Sequence, residues 1–382
     1  MPGLEHGSHR PLPNFSGVPL RCTHDLELQC FGISGIPGAI QRPVIPVHVG
    51  PTVLIALVGG LLSPSPDLPH CEIRVAPAVA AGSLDDRVGL GFMNWQYTTS
   101  RAGGRLAIAP VGHPGVVALF DSEGEHRESI ERPGEGPGEF LSVRGLDQVD
   151  DRLYIAHSRG VLILDEVGAV VDEIRTDVVP TGIAVSRDGS FLVSTSAEPA
   201  FREFDGGLEA GPRFGTHPDG HSAPLTLVTP ARGGGWWTAA RNRYALTLYR
   251  DGENVRTVTP GEDGFSTWTR QPPGAPFQAP PEPALAGIQE DDDGHLWVAL
   301  TVPAESWEPR AEIPEIGDLG ALGDQVHSRI DLLDAETGAR LATLRLDHSV
   351  GGFIGPGLLV SREVTEMGIV RIQAWSVSLY GC

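Results

Sequence analysis

Asp293-Gly294-His295-Leu296-Trp297-Val298-Ala299 is a Gly/Asp turn followed by a hydrophobic strand that ends in a small residue. The same pattern stands at Gly103-Gly104-Arg105-Leu106-Ala107-Ile108-Ala109, at Asp150-Asp151-Arg152-Leu153-Tyr154-Ile155-Ala156 and at Asp188-Gly189-Ser190-Phe191-Leu192-Val193-Ser194. It returns as Gly234-Gly235-Trp236-Trp237-Thr238-Ala239-Ala240 and, most loosely, as Gly355-Pro356-Gly357-Leu358-Leu359-Val360-Ser361. Six copies at a mean spacing of about 50 residues are the mark of a β-propeller.

Each copy sits in a longer unit. A short apolar stretch precedes it, such as Thr181-Gly182-Ile183-Ala184-Val185. A third strand follows and tends to end in Asp and a Gly turn, as in Val161-Leu162-Ile163-Leu164-Asp165-Glu166-Val167-Gly168. A fourth comes after, for example Arg340-Leu341-Ala342-Thr343-Leu344. Four antiparallel strands per unit, joined by turns that tolerate positive φ, make one blade. Such a sheet cannot bury both faces alone; stacking around a ring covers them. β-branched and aromatic residues fill the strands and no long stripe of helical period appears, which argues against helical or βαβ folds. The expected fold is all-β, one six-bladed propeller of four-stranded antiparallel blades over residues 72–382.

Gly134-Glu135-Gly136-Pro137-Gly138-Glu139-Phe140, between the first two units, resembles the blade-connecting signature of NHL-type propellers. It is closer still to the GEGPGEF-type linker of bacterial exported six-bladed propellers. The resemblance covers roughly residues 72–382 and departs from the NHL pattern at Val143, where those repeats carry proline. It implies the same fold and an exported location. The glycine spacing is wrong for a dinucleotide fingerprint, and a strand rather than a helix follows.

The net charge is −21 with no lysine at all; every one of the 28 basic residues is arginine. An acidic surface repels phosphate backbones, so nucleic acid is not an expected partner. Without lysine there is neither a Schiff-base nor a P-loop lysine. Residues 1–48, rich in Pro, Gly and His without strand period, read as a disordered or misassigned N-terminal extension. Residues 49–62 form an apolar run too short for a comfortable membrane span and suited to a signal-peptide core, so 49–71 read as a signal-peptide-like segment. Secretion, a periplasmic place or association with the cell envelope follows, with no transmembrane span and a monomeric state. His70 before Cys71 fits a lipidation motif poorly.

In a propeller the loops between strands two and three, and the links between blades, emerge on one face, here called the top. His113, His157, His217, His221, His327 and His348 are assigned to such loops, and all but His327 are taken as candidate metal ligands. Neutral imidazoles from several blades suit Zn²⁺. Some propeller lyases and lactonases hold a catalytic metal in this way. Asp291-Asp292-Asp293-Gly294 raises Ca²⁺ as a second candidate, but it stands where Asp188-Gly189 stands in its own unit and lacks an EF-hand's spacing, so it reads as a solvated turn. Arg159, Arg241 and Arg243 are candidates for forked binding of a carboxylate or sulfate. Two long insertions, 259–285 and 301–327, flank the fifth unit and carry Trp268 and Trp307, candidate anchors for a partner. The chain has no Gly-x-Ser-x-Gly elbow. The expected function is binding of a ligand or protein partner through the top-face loops, with no catalytic residue assigned. The alternative is a metal-dependent lactonase- or lyase-like enzyme with a central-channel histidine site.

The sixth unit is short of a strand. Too few residues follow Ile369–Trp375 for a turn and an outer strand, and Glu72-Ile73-Arg74-Val75-Ala76 is the natural donor. Closing the ring with strands from both ends removes two sheet edges. It also brings Cys71 near the C-terminal tail, so Cys71 and Cys382 are expected to form a disulfide across the closure.

Overall fold

The computed structural model describes residues 71–82, 95–100, 105–110, 114–216, 226–261, 265, 279–309, 325–364 and 370–381. The chain divides into two units, Met1–Gly60 and Leu61–Cys382. The first, and with it the expected extension and most of the signal-like segment, lies outside the described residues.

The second unit holds six four-stranded antiparallel sheets. Blade one is β2 (Trp95–Ser100), β3 (Leu106–Pro110), β4 (Val116–Phe120) and β5 (His126–Glu131). Blade two is β6 (Val143–Val149), β7 (Arg152–His157), β8 (Gly160–Leu164) and β9 (Val170–Arg175). Blade three is β10 (Pro180–Val185), β11 (Phe191–Thr195), β12 (Phe201–Phe204) and β13 (Ala210–Phe214). Blade four is β14 (Thr226–Pro230), β15 (Trp236–Ala240), β16 (Leu246–Arg250) and β17 (Glu253–Val258). Blade five is β18 (Ala284–Glu290), β19 (His295–Pro303), β20 (Val326–Asp334) and β21 (Arg340–Leu346). Blade six takes β22 (Val350–Gly355), β23 (Leu358–Val364) and β24 (Val370–Tyr380) from the C-terminus and β1 (Glu72–Ala81) from the other end of the unit.

Ring closure is as expected in kind and larger in extent. β24 runs on to Tyr380, and β1 pairs with it from Glu72↔Tyr380 to Ala81↔Ile372, with a bulge at Pro77/Val79. The outer strand is therefore ten residues long rather than five. Cys71 is disulfide-bonded. Cys382, its expected partner, lies outside the described residues.

Six core clusters sit between successive blades, and the second strand of a blade feeds two of them. Trp236 packs toward blade three while Trp237 packs toward blade five. Leu296 faces blade four and Trp297 blade six. Both faces are covered, so these strands read as unbroken apolar runs rather than alternating ones. The aspartates that end the third strands close the next turn. Asp165 Oδ1 accepts the backbone N–H of Val167 and Ala169, at 3.1 and 2.8 Å. Asp121, Asp205 and Asp334 accept two N–H groups each in the same way. This is the Asx-turn habit of aspartate, repeated blade by blade.

Inner strands approach closely where glycine stands. A Cβ on Gly352, at φ +123°, would lie 2.5 Å from the Ala286 carbonyl oxygen, and one on Gly287 would lie 2.7 Å from Phe353 N. Blades five and six thus meet backbone to backbone beside the channel.

Candidate functional site

The up-and-down order of each blade puts the turns after strands one and three at one end of the ring. The loops after strand two and the links between blades lie at the other, the top. The expected site belongs to the top, and part of it lies outside the described residues: His113, His217, His221 and Trp268, with residues 262–264, 266–278 and 310–324 of the insertions. The ends of the second insertion are not loop, because Thr301–Pro303 pair with Val326–Ser328 in the hairpin of β19 and β20, so His327, expected in a loop, is a strand residue opposite Val302.

Of the described candidates, His157 is strand rather than loop. It is the last residue of β7, 2% exposed, with its ring tilted against Phe140 at 6.5 Å. Neither ring nitrogen has a hydrogen-bond partner. Burial pushes its pKa below the usual histidine value; Glu173 raises it and Arg159 lowers it further. His348 lies between β21 and β22, stacks on Trp375 at 4.9 Å and meets Asp347 Oδ1 through Nδ1 at 3.1 Å. Among the described residues neither histidine belongs to a group able to hold a metal. Arg159 donates to the Glu135 carbonyl of the glycine-rich linker. Arg243 is exposed and Trp307 half-buried.

Arg241 differs from these. It follows β15, and its backbone carbonyl accepts the N–H of Leu285, the second residue of the inner strand β18, at 2.8 Å. Its Nε donates to the Leu285 carbonyl at 2.9 Å. No carboxylate of the described residues pairs with it, and burial depresses its pKa.

Two arginines of blade five lie against a buried carboxylate. Asp331 in β20 is fully buried and accepts hydrogen bonds from Tyr244 Oη at 2.7 Å and Thr343 Oγ1 at 2.6 Å. Arg329 lies 3.0 Å and Arg340 3.5 Å from its Oδ2. Burial, and then the neighbouring Asp331, raise the Tyr244 pKa far above the usual phenol range. This network joins blades four and five. Sequence reading missed it, because an Asp inside a third strand looks like any other strand residue.

Among the described residues, the only grouping of potential metal ligands is Asp291, Asp293 and His295, whose ligand atoms lie within 4.8 Å of one another. It occupies the turn between β18 and β19, at the end opposite the top. Asp291 is already in use there. Oδ1 accepts the N–H of Asp293 and of His295, at 2.9 and 2.8 Å. Oδ2 meets Trp297 Nε1 at 2.9 Å and His295 Nδ1 at 3.1 Å. Both Asp291 carboxylate oxygens are thus engaged by donors of the turn itself and of β19.

That same end holds a cavity of about 720 Å³. The closing halves of β6, β10, β14, β18 and β22 and the turns after them line it, so five blades contribute. Leu146, Ile183, Val185, Ile288 and Ile354 form apolar wall, each under 10% exposed. The carboxylates of the rim are held by the fold. Asp147 Oδ2 accepts the Val185 N–H at 2.7 Å, and Glu290 Oε2 takes Arg232 N at 3.0 Å and Trp237 Nε1 at 2.8 Å. Arg187 of blade three reaches past blade four to Asp292 of blade five, through Nη2 at 2.8 and 3.0 Å from the two carboxylate oxygens.

No family model matches the chain, and no curated protein matches it. Solved structures do. A member of the DUF4221 family from Bacteroides vulgatus aligns over 81% of this chain and 99% of its own, at 10% identity and a TM-score of 0.57. A putative exported protein from Bacteroides fragilis aligns over 82% and 97%, at 11% identity and 0.52. A streptogramin B lyase structure aligns more loosely, over 80% and 98%, at 10% identity and 0.44. At such identities the first two likenesses are of fold: an all-β, six-bladed propeller of four-stranded blades. The likeness to NHL repeats rests on the linker alone. Among the described residues no helix is long and apolar enough to cross a membrane.

Proposed function

We propose that this chain is an exported binding protein that holds a small ligand inside the ring. The carrying observation is the 720 Å³ cavity at the turn end of the channel, with apolar walls from five blades and a polar rim. Ligand sites have this size and this mixture. Its carboxylates are engaged by backbone, indole, imidazole, hydroxyl and guanidinium groups of the protein itself, which suits a rigid receptor better than a general base. The signal-like segment at 49–71 and the fold shared with a putative exported protein support the location.

The reading is tested by purifying the protein from its own host and identifying whatever small molecule stays bound by native mass spectrometry. Thr229→Trp and Phe353→Trp, at two cavity-lining positions, should leave the propeller folded and empty of that molecule. A ligand retained in full by both variants would place the site elsewhere.

A further inference from the structure

The cavity at the turn end joins an apolar wall to an acidic rim. Among the described residues that line it, five carboxylates stand against two guanidiniums. Asp147 comes from blade two, Asp188 from blade three, and Glu290, Asp291 and Asp292 from blade five. Arg187 and Arg232 oppose them, and the chain has no lysine to add. The carboxylates of blades three and five flank blade four, and the turns of the blades beside them are all among the described residues.

The fold holds these carboxylates in place and charged. Asp147 Oδ1 accepts Gln148 N at 2.8 Å, and its Oδ2 the Val185 N–H. Asp188 Oδ1 accepts Ser190 Oγ at 2.6 Å and Ser190 N at 3.0 Å, and these bonds hold its pKa below the usual carboxylate value. Burial opposes the charge on Asp291, but hydrogen bonds from His295 and Trp297 outweigh it, and its pKa is lowered as well. Hydrogen bonds of this kind favour the ionised form. Backbone, hydroxyl and indole donors orient a carboxylate without cancelling its charge. A cleft lined by one sign of charge, with low-dielectric walls, focuses its field into the opening.

Two further observations point to what the cavity receives. Arg187 is drawn past blade four until its Nη2 meets both oxygens of Asp292. Its side chain is 79% exposed, so the carboxylate rather than packing holds it there. Thr229 of β14 is a buried wall residue, 9% exposed, whose hydroxyl has no partner among the described residues. Its oxygen is free to accept an N–H from a bound molecule.

We infer that the cavity takes a small organic cation, with an apolar body against the wall and a nitrogen cation among the carboxylates of the rim. The inference rests on the reading of this cavity as the ligand site and adds the charge of the ligand. Asp188, Glu290 and Asp291 attract the cation, the isoleucines and valine of the wall take its body, and an anion of the same size is repelled.

The experiment titrates the whole chain, at one ionic strength, with three fluorescent probes: cationic thioflavin T, neutral Nile red and anionic 1-anilinonaphthalene-8-sulfonate. Thioflavin T should bind about tenfold more tightly than either of the others. Thr229→Trp and Phe353→Trp, which fill the cavity from two blades, should each abolish its binding. Asp188→Asn combined with Asp292→Asn removes two charges from exposed turn positions. It should weaken thioflavin T about tenfold and leave Nile red unchanged. Equal or tighter binding of Nile red or the sulfonate, lost in both tryptophan variants, would overturn the cationic ligand while keeping the cavity as the site. Probe binding that survives both tryptophan variants, or no binding of any probe, would overturn the cavity reading and this inference with it.

Discussion

Cutting the covalent closure of the ring is the perturbation whose size follows most directly from the topology. β1 and β24 pair from Glu72↔Tyr380 inward, and Cys71, one step beyond Glu72, is disulfide-bonded. Continuing the register sets Gly381 opposite Cys71, and Cys382 is the next residue. The proposed bridge is Cys71–Cys382. It closes a loop of about 310 residues, and the chain-entropy account gives such a loop up to ~5 kcal/mol. The nine-pair ladder between β1 and β24 persists without it, so Cys71→Ser should leave the fold intact and lower only its stability. At ~2 °C per kcal/mol for a chain of this size, the midpoint should fall by about 10 °C. Cys382→Ser should fall equally, and the double variant should fall no further than either single one. Reduction of the wild-type protein should reproduce the effect and leave both variants unmoved. The assay is thermal unfolding with and without reductant, paired with non-reducing peptide mapping. A map joining Cys71 to Cys22 or Cys30, or a Cys71→Ser midpoint within about 1 °C of wild type, would refute this account of closure.

Three further outcomes are expected. Asp331→Asn removes the carboxylate on which Arg329, Arg340, Tyr244 and Thr343 converge; it should cost about 3–5 kcal/mol in denaturant unfolding, against about 1.5–3 for Tyr244→Phe. His157 has a folded pKa below its unfolded value of about 6.5, so stability is full above that value and declines as pH falls through it, when the unfolded chain takes up the proton first; His157→Phe should flatten the loss between pH 7 and pH 5, and an unchanged slope would show that the imidazole is solvated. Gly352→Ala places a Cβ 2.5 Å from the Ala286 carbonyl at a φ of +123° and should lower stability by about 1–3 kcal/mol, read as a shift in denaturant midpoint.

Much of this fold could be read from the chain because a propeller repeats its local rules. Trp236-Trp237 and Leu296-Trp297 each serve two interblade cores, and so each second strand appears as a solid apolar run. Asp121, Asp165, Asp205 and Asp334 close equivalent turns, and so Asp recurs at the ends of the third strands. Even the borrowed outer strand was visible, as a deficit at one end and a surplus at the other. Its true length was not, because β24 pairs on to Tyr380 through residues with no distinctive pattern. The candidate sites obey no local rule. The cavity wall takes one stretch from each of five inner strands, so its residues stand roughly one blade repeat, about 50 residues, apart. His157 was assigned to a loop because it follows a strand that fits the repeat without it; in the fold it is the strand's last, buried residue. Arg241 stood out in the sequence only as a loop arginine beside Arg243; its two hydrogen bonds to Leu285, on the inner strand of the next blade, appear only once the ring is closed.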